Sequence, residues 1–248
     1  MSAPLFPGGV AVSDLAVYDW DAVDGRCGGS PHLHTASSEG YVVVAGSGAV
    51  HTVSAEGVAE HPLSPGEVVW FSPGTVHRLV NDGGLRLLVV MQNSGLPEAG
   101  DAVMTFPSRV LDDPEEYAAA AALPTGIGRE AAARARRDLA MQGYLELLAA
   151  VDAEGPKALE TLHLRAARLV QPRVADWRTA WESTVLAEVD RTRRQLDALS
   201  SGLPGLLGAS SVARAAPAAG GPGFGMCGRL TTWQWNTAAD QSGQRFPV

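Results

Sequence analysis

The sequence predicts a mainly β fold over residues 1–108, an α-helical region over 109–200, and a Gly/Pro/Ala-rich linker with a Trp-containing segment over 201–248. Three observations carry this reading. The first hundred residues alternate short apolar runs with clusters of Gly, Pro, Asp and Asn, as in barrels and sandwiches. From about residue 112 the apolar period becomes helical. After Ser200 the composition collapses to small residues and proline.

In the first part, Tyr41–Ala45, Val68–Phe71 and Leu85–Met91 read as strands. Gly46-Ser47-Gly48, Ser64-Pro65-Gly66 and Asn81–Gly84 read as the turns between them. In the second part, Asp113-Pro114-Glu115-Glu116 is a helix start, with an acceptor at N-cap, Pro at N1 and Glu at N3. Residues 130–151 form an Ala-rich helix, and 157–170 set Leu159, Leu162, Ala166 and Leu169 on one stripe. A longer stripe (Val174, Trp177, Trp181, Val185, Val189, Thr192, Leu196, Leu199) predicts one amphipathic helix of about seven turns, either core or a dimer seam. In the tail, Trp233 and Trp235 share one face of an expected extended segment over 229–236, suited to adding a strand to the barrel edge.

The formal net charge is −8, which argues against nucleic acid or an anionic membrane as partner. The whole excess lies in residues 1–108, which hold three basic and eleven acidic side chains. That imbalance favours a neutral or singly charged substrate; among its arginines, Arg78 should point away from the site and only Arg86 is a plausible inward cation. Two cysteines, Cys27 and Cys227, make no disulfide framework. With no signal-peptide pattern and no long apolar run, a cytoplasmic protein is expected.

Three of the six histidines fall in one constellation. His32 and His34 share a strand face, Glu39 follows, and His77 stands on a later strand after a turn. Three imidazoles and a carboxylate suit a divalent first-row ion (Fe, Mn, Ni, Zn or Cu) and leave one or two positions of an octahedron open. The stretch Gly29-Ser-Pro-His32-Leu-His34-Thr-Ala-Ser-Ser-Glu39 through Gly46 resembles the first motif of the cupin superfamily. Gly66 through His77 to Asn81 resembles the second, with proline shifted to Pro73-Gly74 from the usual Pro-x-Gly. The resemblance covers roughly 10–105 and implies a jelly-roll-like β-barrel with His32, His34, Glu39 and His77 as metal ligands.

Other residues have structural readings. His51 and His61 are expected on an exposed hairpin, His163 at a helix interface, and Cys27 as a small buried residue. Tyr41 should share the inward face of Glu39, as a pocket wall, a proton donor or plain core. The first functional expectation is a metal-dependent, dioxygenase-like oxidoreductase acting on a small molecule. The others are a metal-assisted isomerase, lyase or hydrolase, and a non-enzymatic ligand-binding or sensor module. The cupin resemblance implies a homodimer, with the helices as an oligomerisation element or a lid over the barrel mouth.

Overall fold

Turn glycines cut the early chain into strands that close on one another. In the computed structural model, which describes residues 6–234, seven strands precede the helices. They are β1 (Ala11–Val17), β2 (His32–His34), β3 (Glu39–Ser54), β4 (Gly57–Leu63), β5 (Val68–Phe71), β6 (Val76–Met91) and β7 (Ala102–Met104). β3 and β6 are 16 residues each and pair antiparallel along most of their length. Register shifts between Val43 and Gly48 bend the pair. Glu39, Tyr41 and Val43 are buried before the shifts and Val50 after them, so the inward parity changes from odd to even. Gly46 sits at the bend with φ +75°, and a Cβ there would lie 2.2 Å from the Gly84 carbonyl carbon. Only glycine fits. The bent ribbon serves both halves of the barrel: β4 and β5 pair with β3, and β1 and β2 pair with β6.

The barrel interior holds Leu15, Val43, Val50, Leu79, Leu87 and Met91 among its apolar side chains. Its outer face over β2, β6 and β7 is covered by helices: α1 (Ser108–Leu111), α2 (Pro114–Ala121), α3 (Arg129–Glu154) and α4 (Lys157–Val170). Asp113 caps α2, accepting from the backbone N–H groups of Glu115 and Glu116. Leu33, Val76 and Val103 from the strands meet Met141, Tyr144, Leu159 and Leu162 from the helices in one cluster. β2 is therefore buried on both faces, His32 and His34 inward and Leu33 toward the helices. Gly143 lets α3 touch the chain after β7, since a Cβ there would be 2.2 Å from the Thr105 carbonyl oxygen. Arg137, 1% exposed, pins α3 to the barrel by donating to the carbonyls of Trp20, Asp21 and Gly28.

The expected seven-turn helix is interrupted. α5 (Val174–Trp181) and α6 (Ala187–Ser200) are joined by one π-helical turn over Glu182–Leu186. The wider turn rotates the stripe out of line. Trp177 is buried at 5%, while Val189, Leu196 and Leu199 are 49%, 61% and 48% exposed.

The tail returns to the barrel. β8 (Ala216–Pro217) pairs with β11 (Trp233–Gln234), while β9 (Gly223–Phe224) pairs with β10 (Gly228–Thr231). β10 joins the barrel edge at β1, with Leu15 opposite Leu230 and Val17 opposite Gly228. The barrel's sheet thus extends past the boundary expected at residue 108. The expected strand over 229–236 breaks at Thr232, and Trp235 lies outside the described residues. No helix among the described residues is long and apolar enough to cross a membrane.

Candidate metal centre

β2, β3 and β6 place the four predicted ligands in one buried cluster. His32 lies opposite His77 in the β2–β6 register, and Glu39 opens β3 opposite Met91 of β6. One donor atom from each of His32, His34, Glu39 and His77 can be chosen so that all lie within 4.8 Å of one another. His32 Nε2 and His77 Nε2 are 3.1 Å apart, and Glu39 Oε2 lies 2.9 Å from His77 Nε2 and 3.4 Å from His34 Nε2. Cis donors on an octahedral ion with bonds of about 2.1 Å stand about 3.0 Å apart, so these edges fit a first-row ion.

The opposite ring nitrogens fix the tautomers. His32 Nδ1 donates to the Ser30 carbonyl at 2.9 Å, and His77 Nδ1 to the Thr75 carbonyl at 3.1 Å. Each partner is two residues upstream of its histidine. His34 Nδ1 is held by Asp101 Oδ1 at 2.6 Å. With an acceptor on every Nδ1, each Nε2 is turned to the common centre. His32 Nε2 and His77 Nε2, 3.1 Å apart, call for either a proton or a metal ion between them.

Charge points the same way. Glu39 and Asp101 are buried carboxylates, 7% and 0% exposed, and among the described residues no Lys or Arg lines the adjoining cavity. Burial resists the charge on Glu39, but His77 and His34 hold its carboxyl well below the usual range. Burial likewise resists protonation of His34, but Asp101 and Glu39 on either side raise it to about 10. Burial, reinforced by His77 and His34, pushes His32 well below 6.5. Asp101 Oδ2 makes no hydrogen bond among the described residues. A buried cluster of three imidazoles and a glutamate, beside a second carboxylate, is able to hold a metal ion.

The cluster borders a cavity of about 330 Å³. Leu15, Val89 and Met91 come from the barrel, and Met226, Leu230 and Trp233 from the returning tail. Tyr41 is not on this wall. It is 0% exposed in the barrel core, edge-on to Phe71 with ring centroids 5.5 Å apart. Burial, then the charge of Glu39, raises its hydroxyl well above 10, so it stays a phenol, and that hydroxyl makes no well-formed hydrogen bond.

Several expectations need correction. Arg86 is not an inward cation. Leu85, Leu87, Val89 and Met91 take the inward positions of β6, which leaves Arg86 outside, paired with Asp14 and 55% exposed. Arg78 does avoid the cluster, yet it is fully buried, bonded to Asp24 and the Arg26 carbonyl. His51 is half-buried and holds Glu60 at 2.6 Å, whereas His61 is exposed as expected. Cys27 is half-buried and not core; its thiol donates to Asp21, which together with burial raises it. His163 is the expected interface residue, bonding the Gly74 carbonyl at 2.8 Å and so tying α4 to the turn before His77.

Sequence reasoning missed Asp101 and the tail wall. Asp101 lies outside both motifs and carries no local signal. Cys227, which reads in the sequence only as an unpaired cysteine, is buried beside the cluster with Sγ 4.0 Å from His32 Nδ1; burial and the charge of Glu39 keep it a thiol.

The family model described as "Cupin domain" matches residues 21–91. No curated protein matches the chain. Among solved structures, Streptomyces PAC13 with uridine, described as a nucleoside dehydratase, is 16% identical, with TM-score 0.31 over 41% of this chain and 72% of that one. A Cupin 2 conserved barrel domain protein from Salinispora arenicola is 20% identical, with TM-score 0.30 over 40% and 76%. A predicted oxalate decarboxylase from Thermotoga maritima is 22% identical, with TM-score 0.26 over 34% and 64%. The named activities differ, and none carries over to this chain.

Proposed function

Because residues 21–91 are a cupin domain whose four ligand positions all hold ligating side chains, we propose that this protein is a mononuclear metal enzyme of the oxygenase type. The observation behind the reading is the convergence of three orientation-locked imidazoles and Glu39 beside an apolar cavity. A first-row ion held there supplies Lewis acidity and, when redox-active, access to dioxygen. The chain's part is to orient, to exclude water and to place charge. Glu39 contributes one negative charge and the imidazoles none when they ligate. The mainly apolar wall, with no lining cation among the described residues, suits a neutral or singly charged molecule that enters through its own oxygen. Tyr41, a neutral phenol beside Glu39 in the barrel core and off the cavity wall, helps in this reading to keep water from Glu39 and does not reach a substrate. A homodimer belongs to the proposal because Val44, Val68 and Trp70 leave apolar surface exposed on β3 and β5.

The test is metal analysis followed by a probe of open coordination. The purified protein should retain about one first-row ion per chain, and the His77→Ala variant should not. Nitric oxide added to the anaerobic Fe(II)-loaded protein should then give the high-spin ferrous–nitrosyl EPR signal. Retention by His77→Ala equal to the parent would remove the metal centre. A loaded protein without the nitrosyl signal would remove the oxygenase reading and favour the metal-assisted isomerase, lyase or hydrolase.

A further inference from the structure

One wall of the cavity beside the ligand cluster comes from the far end of the chain. After the helical excursion, residues 225–233 lie back along β1 and present Met226, Leu230 and Trp233 to the cavity that His32, His34 and Glu39 border. This segment is firmly tied. The Met226 carbonyl accepts from the Ser30 N–H at 2.9 Å, and the Cys227 carbonyl from the Tyr18 N–H at 3.1 Å. The Gly225 carbonyl accepts from Tyr18 Oη at 3.0 Å and from Arg136 at 2.8 Å. Gly228 packs so close to β1 that a Cβ would lie 2.1 Å from the Ala16 carbonyl oxygen. A segment held by backbone bonds on both sides of its cavity-facing residues is a fixed wall rather than a swinging lid.

We propose that Met226 and Leu230 of this return segment determine substrate specificity by selecting an apolar body attached to a metal-ligating oxygen head. This rests on the metal-centre reading above and adds the substrate class to it. Three features carry it. The large side chains of the segment that line the cavity, Met226, Leu230 and Trp233, are apolar, with Leu230 packed on the barrel core and placed opposite Leu15. Among the described residues no arginine or lysine lines the cavity, so a phosphorylated or polyanionic body finds no counter-charge there. Ser13, Glu98 and Thr232 also line the cavity, but the donors able to hold a metal, and with it an oxygen head, are those of the cluster.

Alkylhydroxamates separate the two parts of the claim, because the hydroxamate head ligates metal and the tail reads the wall. Binding of acetohydroxamate and its longer-chain homologues to the Co(II)-loaded full chain is followed by the visible absorption of cobalt. Affinity should rise up to about fourfold per methylene until the cavity is filled. In Leu230→Thr the ratio of octano- to acetohydroxamate affinity should fall about tenfold. Met226→Ala widens the cavity without adding a polar group, and it should shift the preferred tail to a longer one. If acetohydroxamate binds but tails add nothing, or both variants keep the parent's tail dependence, the specificity wall is overturned and the metal centre stands. If acetohydroxamate leaves the spectrum of the bound cobalt unchanged, the centre has no open position, and the oxygenase reading and the specificity wall both fall.

Discussion

Replacing Asp101 by Asn changes one buried acceptor and almost no volume. Asp101 is 0% exposed, and its Oδ1 holds His34 Nδ1 at 2.6 Å, the distance of a charge-assisted bond. An asparagine there offers either a neutral carbonyl oxygen, a weaker acceptor, or an NH2 group, which turns the His34 proton onto Nε2 and removes its lone pair from the cluster. Hydrogen bonds to charged groups contribute about 1.5–3 kcal/mol, which is about 10–150-fold in affinity. Substitutions of groups that orient metal-bound histidines cost about 10–100-fold, so the two estimates agree. The fold should tolerate the change, because Thr35 bonds the backbone carbonyl of residue 101 through both its N–H and its hydroxyl. Competition with a chromophoric chelator for Zn(II) at fixed pH measures the effect, with circular dichroism as the check on folding. A folded variant whose affinity stays within about twofold of the parent would refute the claim that Asp101 orients His34 for ligation.

Two further predictions concern the fold. Gly143→Ala puts a methyl 2.2 Å from the Thr105 carbonyl oxygen and 2.4 Å from the Phe106 carbonyl carbon, both backbone. The cost is about 1–3 kcal/mol, a fall in Tm of about 3–10 °C in thermal denaturation, and an unchanged Tm would contradict the α3–barrel contact. The metal-free protein should be most stable near pH 6.5. As pH rises from 6.5 toward 10, the unfolded chain sheds the His34 proton that the folded chain keeps, and stability falls. Below 6.5 the unfolded chain takes up a proton that buried His32 refuses, and stability falls again, with a further loss below 4.5 from Glu39. Urea midpoints of chelator-treated protein across this range test it; a maximum at alkaline pH would contradict the buried carboxylate–imidazole arrangement.

The ligand set is legible in the sequence because each part of its signal is local. Period-two alternation puts His32 and His34 on one face, and the turn before His77 sets the second strand. The helix starts are legible for the same reason: Asp113 caps with atoms two and three residues away. The failures all involve more than one element. Arg86 misleads because its side is set by the barrel register and by Asp14 on a neighbouring strand. The long apolar stripe reads as one helix because a π turn changes phase without changing residue type. Asp101 is invisible because its partner, His34, is 67 residues away in sequence.

Spacing, alternation and capping are properties of neighbouring residues. They suffice for the β-then-α order of the chain and for the four side chains of the candidate metal centre. What surrounds that centre comes from packing in three dimensions: the buried Asp101 behind His34, the helices that seal the outer face of β2, and the wall formed by Met226 and Leu230. Those contacts join residues far apart in sequence, and long-range packing, which leaves no periodic trace along the chain, brings them together.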